Sequence, residues 1–229
     1  MLVLAWVYFG LFVAYTAAHL YGSLKQRSSL RGATKPVILL TLLGMYLEYM
    51  HFKGAGPSLL LVFALLCSWL GDVLLIPRGV KWFAAGGFFF WASHMLFIFT
   101  YRESGIVFGN IPAVLIVLIA LVYAAAAIFL ALKLKPHLPD KLFCPVFIYL
   151  LTNGVMNAFA WYRLLSGGCT ALSGLATGVG ALLFFASDAT LFFVRFDKNS
   201  PIRSHFPVML TYSLAELLIV LGLMLQATV

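Results

Sequence analysis

The sequence predicts an all-α polytopic membrane protein, a bundle of eight transmembrane helices without a soluble domain. Three observations lead to this fold class. Hydrophobic residues make up 63% of the 229 residues and charged residues only 10%, whereas a soluble domain carries about 25% charged residues. The apolar residues fall into eight long runs joined by short connections. The basic residues concentrate in alternate connections, as they do in the cytosolic loops of membrane proteins.

Each of the eight runs is a candidate membrane span, since a helix needs about 20 mostly apolar residues to cross a bilayer. In chain order the runs are 2–21, 36–50, 58–76, 82–101, 111–132, 142–162, 171–194 and 206–226. The second run is short, so we expect its helix to be tilted against its neighbours or extended at one end. The runs fill the chain, and residues 1–229 are therefore expected to form a single transmembrane domain.

The distribution of charge predicts the orientation of the bundle. Twelve of the 15 Lys and Arg residues lie in the first, third, fifth and seventh connections, and only Lys53, Arg102 and Arg163 lie in the others. Because basic loops stay in the cytosol, both termini are expected on the extracytoplasmic or lumenal side. The formal net charge of +8 is then a topology signal, and we expect no nucleic-acid partner. The sequence leaves open the oligomeric state and the choice between a bacterial inner membrane and the endoplasmic reticulum.

A faint internal similarity relates the two halves of the chain. "ALLCSWLGD" in the third run resembles "ALLFFASD" in the seventh, and "SHMLFI" in the fourth resembles "AELLIV" in the eighth. Four crossings separate the partners, so both halves would run in the same direction. The pattern is compatible with a weak 4+4 parallel repeat about an axis along the membrane normal.

A few polar and ionisable residues interrupt the apolar runs. They are Asp72, His94, Asn153, Asn157, Asp188, Tyr212 and Glu216, with Lys35 at the mouth of the second run. A charged side chain at the centre of a membrane helix costs about 2.5–3.5 kcal/mol, so such residues face the bundle interior or water and are functional candidates by default. Counted at about 1.5 Å per residue from the basic ends, these residues all lie in the cytosolic half or near the midplane. We therefore expect one polar cavity that opens toward the cytosolic leaflet.

Asp72 and Asp188 have the chemistry of a general acid–base pair. One carboxyl group holds a proton while the other acts as a base toward water, which hydrolyses acid-labile bonds without a metal. Peptide, acetal-like and vinyl ether bonds are all candidate substrates at this point. No metal site is expected, because only one of the five histidines, His94, lies deep among the candidates and a zinc site needs several ligands. No cofactor is required by this chemistry.

Five segments, in this order, resemble the lysoplasmalogenase (YhhN-like) family of eight-helix membrane proteins: "ATKPVILLTLL", "SWLGDVLL", "SHMLFIF", "GALLFFASDATLFF" and "VMLTYSLAELLI". Together they extend over nearly the whole chain. The resemblance implies a membrane-embedded hydrolase that cleaves the vinyl ether bond of lysoplasmalogens, the 1-alkenyl-glycerophosphocholines and -ethanolamines. The products would be a fatty aldehyde and the glycerophospho-headgroup. The implied partners are a lysophospholipid substrate and the lipid bilayer.

This reaction begins with protonation of a carbon atom, so we expect Asp72 and Asp188 to be the catalytic residues, with the proton donor left open. The expected substrate- or water-positioning residues are His94, Asn153, Asn157, Tyr212, Glu216 and Lys35. Of these, Lys35 is placed to meet the phosphate at the cytosolic headgroup level. The family's last helix commonly reads "TYYxAQ", and here the segment reads "TYSLAE". Glu216 thus replaces a neutral amide, which leaves its role and the choice of choline or ethanolamine headgroup open.

A proton-coupled transporter of a small molecule or lipid is the alternative, since buried Asp, Glu and His residues also form proton relays. A parallel repeat fits this alternative as well. Against it, the polar residues stop near the midplane, and the outer half offers no comparable path. Release of an aldehyde from a lysoplasmalogen distinguishes the two functions.

Overall fold

The structure is a computed structural model that describes residues 2–202 and 204–226. It contains the eight predicted helices in the predicted order. They are α1 Leu2–Leu24, α2 Ser28–Phe52, α3 Leu59–Leu74, α4 Val80–Glu103, α5 Ala113–Leu134, α6 Asp140–Leu165, α7 Ala171–Phe196 and α8 Phe206–Gln226. Seven of them, all except α3, are long and apolar enough to cross a membrane. The chain is therefore that of a multi-pass membrane protein.

The shortest of the eight helices is α3. The expectation that the helix of the short second run is extended at one end is confirmed, because α2 begins at Ser28. α3 has 16 residues, about 24 Å of helix against a hydrocarbon core of about 30 Å. Its start is fixed by Ser58, whose side chain accepts a hydrogen bond from the backbone N–H of Leu61. The hydroxyl of Tyr46 on α2 also accepts the N–H of Ser58, at 2.7 Å. These bonds hold the first turn of α3 against α2.

Helix α2 begins eight residues before the predicted start of the second span, and its 25 residues include two basic side chains, Arg31 and Lys35. Both residues were predicted to lie outside the second span, because only apolar residues were counted as part of a run. A long basic side chain can nevertheless belong to a membrane helix when its charged end reaches the polar boundary. Pro36 lies inside α2 and removes one backbone donor. Its carbonyl accepts a hydrogen bond from Trp69 Nε1 on α3, at 2.8 Å.

The described chain forms two compact units that divide between Thr100 and Tyr101. The first unit holds α1, α2, α3 and most of α4, and the second holds the end of α4 with α5 to α8. This division lies near the boundary between the two halves of the predicted 4+4 repeat. The repeat itself stays a prediction.

In the first unit, α1 packs along α2, and α2 packs against α3. The outer face of α1 is exposed at residues such as Trp6 and Val13, as expected for a surface covered by lipid. α3 and α4 approach closely at Gly71, where an added Cβ would lie 2.6 Å from the ring of Phe90. A glycine is therefore required at the position immediately before Asp72.

In the second unit, α7 packs along α8, and α6 lies against both α5 and α7. The close approach of α7 and α8 depends on Gly180, since an added Cβ there would lie 2.9 Å from the carbonyl oxygen of Ala215. Helix α5 carries many exposed apolar side chains, among them Val117 and Phe129. The predicted site residues of this unit lie on α6, α7 and α8.

Candidate active site

In the first unit, Asp72 lies near the end of α3 and forms an ion pair with Lys35 of α2. Lys35 Nζ lies 3.0 Å from Asp72 Oδ1, and the two side chains are 14% and 2% exposed. Both residues were predicted site residues, but the sequence did not indicate that they contact each other. A buried carboxylate is costly unless it is paired. The Lys35 ammonium group therefore explains how Asp72 is accommodated in an apolar helix.

A pair of serines links α3 to α4 one turn before Asp72. Ser68 Oγ and Ser93 Oγ are 2.7 Å apart, and Ser93 Oγ donates to the carbonyl oxygen of Ala64 at 2.9 Å. Because Ser93 has a single hydroxyl proton, Ser68 supplies the proton of the bond between them. The next residue of α4 is His94, which is fully buried. The serine pair thus fixes α4, and with it His94, against the helix that carries Asp72.

In the second unit, Asp188 lies on α7 and accepts two hydrogen bonds from α6. Tyr149 Oη donates to Asp188 Oδ2 at 2.6 Å, and Asn153 Nδ2 donates to the same oxygen at 2.7 Å. Asn157 Nδ2 in turn donates to Asn153 Oδ1 at 3.0 Å. The Asp188 side chain is buried and both asparagines are fully buried. Three predicted site residues thus form one network in the described structure.

The geometry of α6 explains this network. Tyr149, Asn153 and Asn157 are spaced four residues apart, so they lie on one face of the helix. Asn153 is oriented by Asn157 at one end of its amide and bonds Asp188 at the other. Tyr149 was not among the predicted site residues. Its position one turn before Asn153 was the signal that would have identified it.

The two predicted site residues of α8 are both buried. Tyr212 is packed edge-on against Phe184 of α7, with ring centroids 5.4 Å apart. Phe184 lies one turn before Asp188, and Glu216 lies one turn after Tyr212 on the same face of α8. Glu216 is fully buried. Both residues thus lie on the face of α8 that packs against α7.

The second unit also contains a fully buried cation, Arg163, near the end of α6. Arg163 was predicted to lie in a connection, but it lies inside α6. Its guanidinium group donates to the carbonyl oxygen of Ser104, to Thr177 Oγ1 and to Ser173 Oγ, at 2.7, 3.1 and 2.8 Å. These acceptors are neutral. Asn153 lies ten residues earlier on the same helix, about 15 Å away along its axis, so Arg163 does not serve as the counter-ion of Asp188.

Each unit therefore presents one buried aspartate, on α3 or on α7, bonded by side chains of the helix that precedes it in the chain, α2 or α6. In the first unit the partner is a cation, and in the second unit the partners are a phenol and an amide. A carboxyl group held in this way has a fixed orientation, which general acid or base catalysis requires. Such an arrangement can donate a proton, accept a proton or stabilise a cation.

Comparisons with known proteins agree with the resemblance found in the sequence. The model of the YhhN family matches residues 30–223. Lysoplasmalogenase TMEM86B from Sus scrofa is 34% identical over 170 residues, which cover 74% of this chain and 65% of that protein. Lysoplasmalogenase TMEM86A from Bos taurus is 32% identical over 175 residues, which cover 75% and 68%. The chain thus spans about two thirds of the length of these relatives.

No solved structure matches the chain. The match of the family model includes Asp72, Asp188 and the helices that hold them. Because this match extends over most of the chain, the protein belongs to the YhhN family.

Proposed function

We propose that this protein hydrolyses the vinyl ether bond of lysoplasmalogens, releasing a fatty aldehyde and the glycerophospho-headgroup. The observation that carries the proposal is the pair of buried aspartates, Asp72 and Asp188, each oriented by side chains of the preceding helix. The two relatives named lysoplasmalogenases support it, since both are more than 30% identical to the chain. The substrate is a lysophospholipid that reaches the site from the bilayer.

The reaction consumes one water molecule and needs one proton donor and one base. A proton is added to the second carbon of the alkenyl chain, which leaves an oxocarbenium ion at the first carbon. Water adds to that first carbon and gives up a proton, forming a hemiacetal. The hemiacetal then separates into the aldehyde and the free glycerol hydroxyl, and the proton balance is restored. A positioned acid and base contribute about 10²–10⁴-fold each to such a rate.

We assign the proton donor to Asp188. Its Oδ2 atom accepts from Tyr149 and Asn153, so that oxygen is occupied as an acceptor and a transferable proton belongs on Oδ1. Neutral donors orient the group without adding charge, which leaves both protonation states accessible. Asn157 acts indirectly, by holding the Asn153 amide in its orientation.

We assign the role of the permanent carboxylate to Asp72, because it is paired with the Lys35 ammonium group at 3.0 Å. A carboxylate stabilises the oxocarbenium ion and accepts the proton of the attacking water. His94, Tyr212 and Glu216 retain the proposed role of positioning water or substrate. Following the distribution of the basic loops, the chemistry takes place in the cytosolic half of the membrane, with both termini on the opposite side.

The test is aldehyde release by the purified protein in detergent, with a 1-alkenyl-lysophospholipid as substrate. The expected result is one aldehyde and one glycerophospho-headgroup for each lipid consumed. The saturated 1-alkyl analogue is the control and should remain intact, because it has no double bond to protonate. The same protein in liposomes tests the transporter alternative. Solute or proton flux without any aldehyde release would refute the hydrolase proposal.

A further inference from the structure

Near the cytosolic end of the first unit, α1 and α2 hold two buried polar atoms that have no hydrogen-bond partner among the described residues. They are Ser23 Oγ on α1 and Arg31 Nε on α2. Ser23 is 3% exposed, whereas Arg31 as a whole is half-buried. Buried polar groups are nearly always hydrogen-bonded, so a group without a protein partner calls for another one.

The position of Arg31 is fixed by the packing of α1 on α2. An added Cβ at Gly22 would lie 3.3 Å from Arg31 Cγ, so the absence of a side chain at Gly22 makes room for the aliphatic part of the Arg31 side chain. One turn farther along α2, Thr34 Oγ1 lies 3.0 Å from His19 Nδ1 of α1. α1 and α2 are therefore joined next to Arg31. The packing of the two helices supports the aliphatic part of the Arg31 side chain.

Arg31 and Lys35 are four residues apart and lie on the same face of α2. Lys35 Nζ is bonded to Asp72. Arg31 has no ion-pair partner among the described residues. Its fork of N–H donors matches the oxygen atoms of a phosphate group, which it can bind through two parallel bonds. Arg31 is thus the cation on this face that has no ion-pair partner among the described residues. It lies one turn closer to the headgroup region than Lys35.

The spacing agrees with a lysophospholipid, on the basis of the function proposed above. One helical turn separates Arg31 from Lys35, about 6 Å along the helix axis. In the lipid, five bonds separate the vinyl ether oxygen from the phosphorus atom, also about 6 Å when extended. A lipid with its phosphate at Arg31 would therefore bring its vinyl ether bond to the depth of the Lys35–Asp72 pair.

We infer that Arg31 binds the phosphate of the lysophospholipid headgroup. This role is additional to the phosphate contact predicted for Lys35. It makes Arg31 a determinant of selectivity for phosphate-bearing substrates and assigns it no part in the chemical step.

Binding measurements test this inference without turnover. The probes are a short-chain 1-alkyl-lysophosphatidylcholine, which contains the phosphate but no double bond, and the corresponding 1-alkylglycerol, which has neither. Wild-type protein in detergent is expected to bind the phosphate-bearing lipid at least about tenfold more tightly, a difference of about 1.4 kcal/mol. Arg31→Gln should reduce this preference to about twofold or less, and Arg31→Lys should retain part of it because a point charge still attracts phosphate.

Arg27→Gln is the matched control, since Arg27 lies one turn before Arg31 at the start of α2, is exposed and stacks on Tyr21 at 5.7 Å. It should preserve the preference. The inference is overturned if wild type shows no preference, if Arg31→Gln retains it, or if Arg27→Gln loses it equally. Binding of inorganic phosphate alone, as tight as that of the lipid and lost in Arg31→Gln, would assign the site to free phosphate and overturn the lipid assignment.

The outcome is separable from that of the proposed function. An inactive wild-type protein with the expected binding preference would refute hydrolysis and leave the Arg31 contact standing. An active protein whose KM for the lysoplasmalogen is the same in Arg31→Gln as in Arg27→Gln would refute the Arg31 contact alone.

Discussion

The two units hold their buried aspartates at equivalent places but with different partners. In each unit the partners of the acid come from the helix that precedes it in the chain: α2 for Asp72 on α3, and α6 for Asp188 on α7. Asp72 faces the ammonium group of Lys35, whereas Asp188 accepts from Tyr149 and Asn153. The first arrangement joins opposite charges, and the second brings two neutral donors to one carboxyl oxygen.

Under the proposed function, this difference gives the two acids distinct roles. A carboxylate paired with a cation is retained as a carboxylate, because separating the pair would leave a buried charge without compensation. A carboxyl group with neutral donors has no such constraint and can pass between its two protonation states. The second unit does contain a buried cation, Arg163, but its bonds go to neutral oxygens remote from Asp188 along α6.

The largest effect is expected from removing the cation of the first unit. Lys35→Met should lower the free energy of unfolding by about 3–5 kcal/mol, because it leaves Asp72 buried without its counter-ion. Denaturation by SDS in detergent micelles measures this change. Lys25→Met, at an exposed position in the adjacent turn, is the control and should change stability by about 0.5 kcal/mol or less.

The double variant Lys35→Met/Asp72→Asn tests whether the stability lost in Lys35→Met comes from the unpaired charge of Asp72. It removes both charges, so most of the stability lost in Lys35→Met should return, although activity should not. If Lys35→Met were as stable as Lys25→Met, or if the double variant were no more stable than Lys35→Met, the ion pair would not be what accommodates Asp72.

The second largest effect is expected at the cation of the second unit. Arg163→Met should lower the free energy of unfolding by about 3 kcal/mol, because bonds to a charged group contribute about 1.5–3 kcal/mol each and are not additive. The aldehyde-release rate of the folded fraction should stay within about threefold of wild type, a barrier change below 1 kcal/mol. A loss of activity at unchanged stability would show that the Arg163 charge acts on the chemistry after all.

A smaller effect is expected at the neutral donors of Asp188. Tyr149→Phe removes one hydrogen bond of 2.6 Å and should slow aldehyde release about 10–100-fold, the equivalent of about 1.5–3 kcal/mol. Tyr162→Phe, on the same helix but outside the network, is the control. Equal rates in the two variants would mean that the Tyr149 hydroxyl does not orient the acid.

The smallest effect is expected at Glu216. Glu216→Gln restores the amide that the resemblance implies as common at this position, and it keeps the shape of the side chain. Stability should change by less than about 1 kcal/mol, and aldehyde release should fall by no more than about threefold, measured in the same assay. A much larger loss would make Glu216 a third acid of the reaction. The assignment of the chemistry to Asp72 and Asp188 alone would then be wrong.

Most of the helical architecture was predictable from the sequence. The eight apolar runs correspond to eight helices. A chain crosses a bilayer where a run of about 20 mostly apolar residues lies between polar connections, and such runs are visible in the sequence. The start of α2 was not predictable in this way, since Arg31 and Lys35 are helical yet charged.

The candidate residues were predictable, but their contacts were not. Asp72, Asp188 and Asn153 were identified because polar groups are costly in lipid. The pairing of Lys35 with Asp72 joins residues 37 positions apart and depends on how α2 packs on α3, which no local pattern records. Arg163 was predicted to lie in a connection between spans. Instead it is buried in the second unit, where the Ser173 and Thr177 hydroxyls of α7 accept hydrogen bonds from it.

The most direct test of the account is the aldehyde-release rate of Asp72→Asn and Asp188→Asn beside wild type. The proposed chemistry predicts that each substitution lowers the rate about 10²–10⁴-fold, as expected for loss of a general acid or base. The melting temperature and the binding of the uncleavable 1-alkyl lipid serve as checks that both variants remain folded. If either asparagine variant is folded and retains more than about a tenth of the wild-type rate, a barrier change below about 1.4 kcal/mol, that aspartate is not part of the catalytic pair.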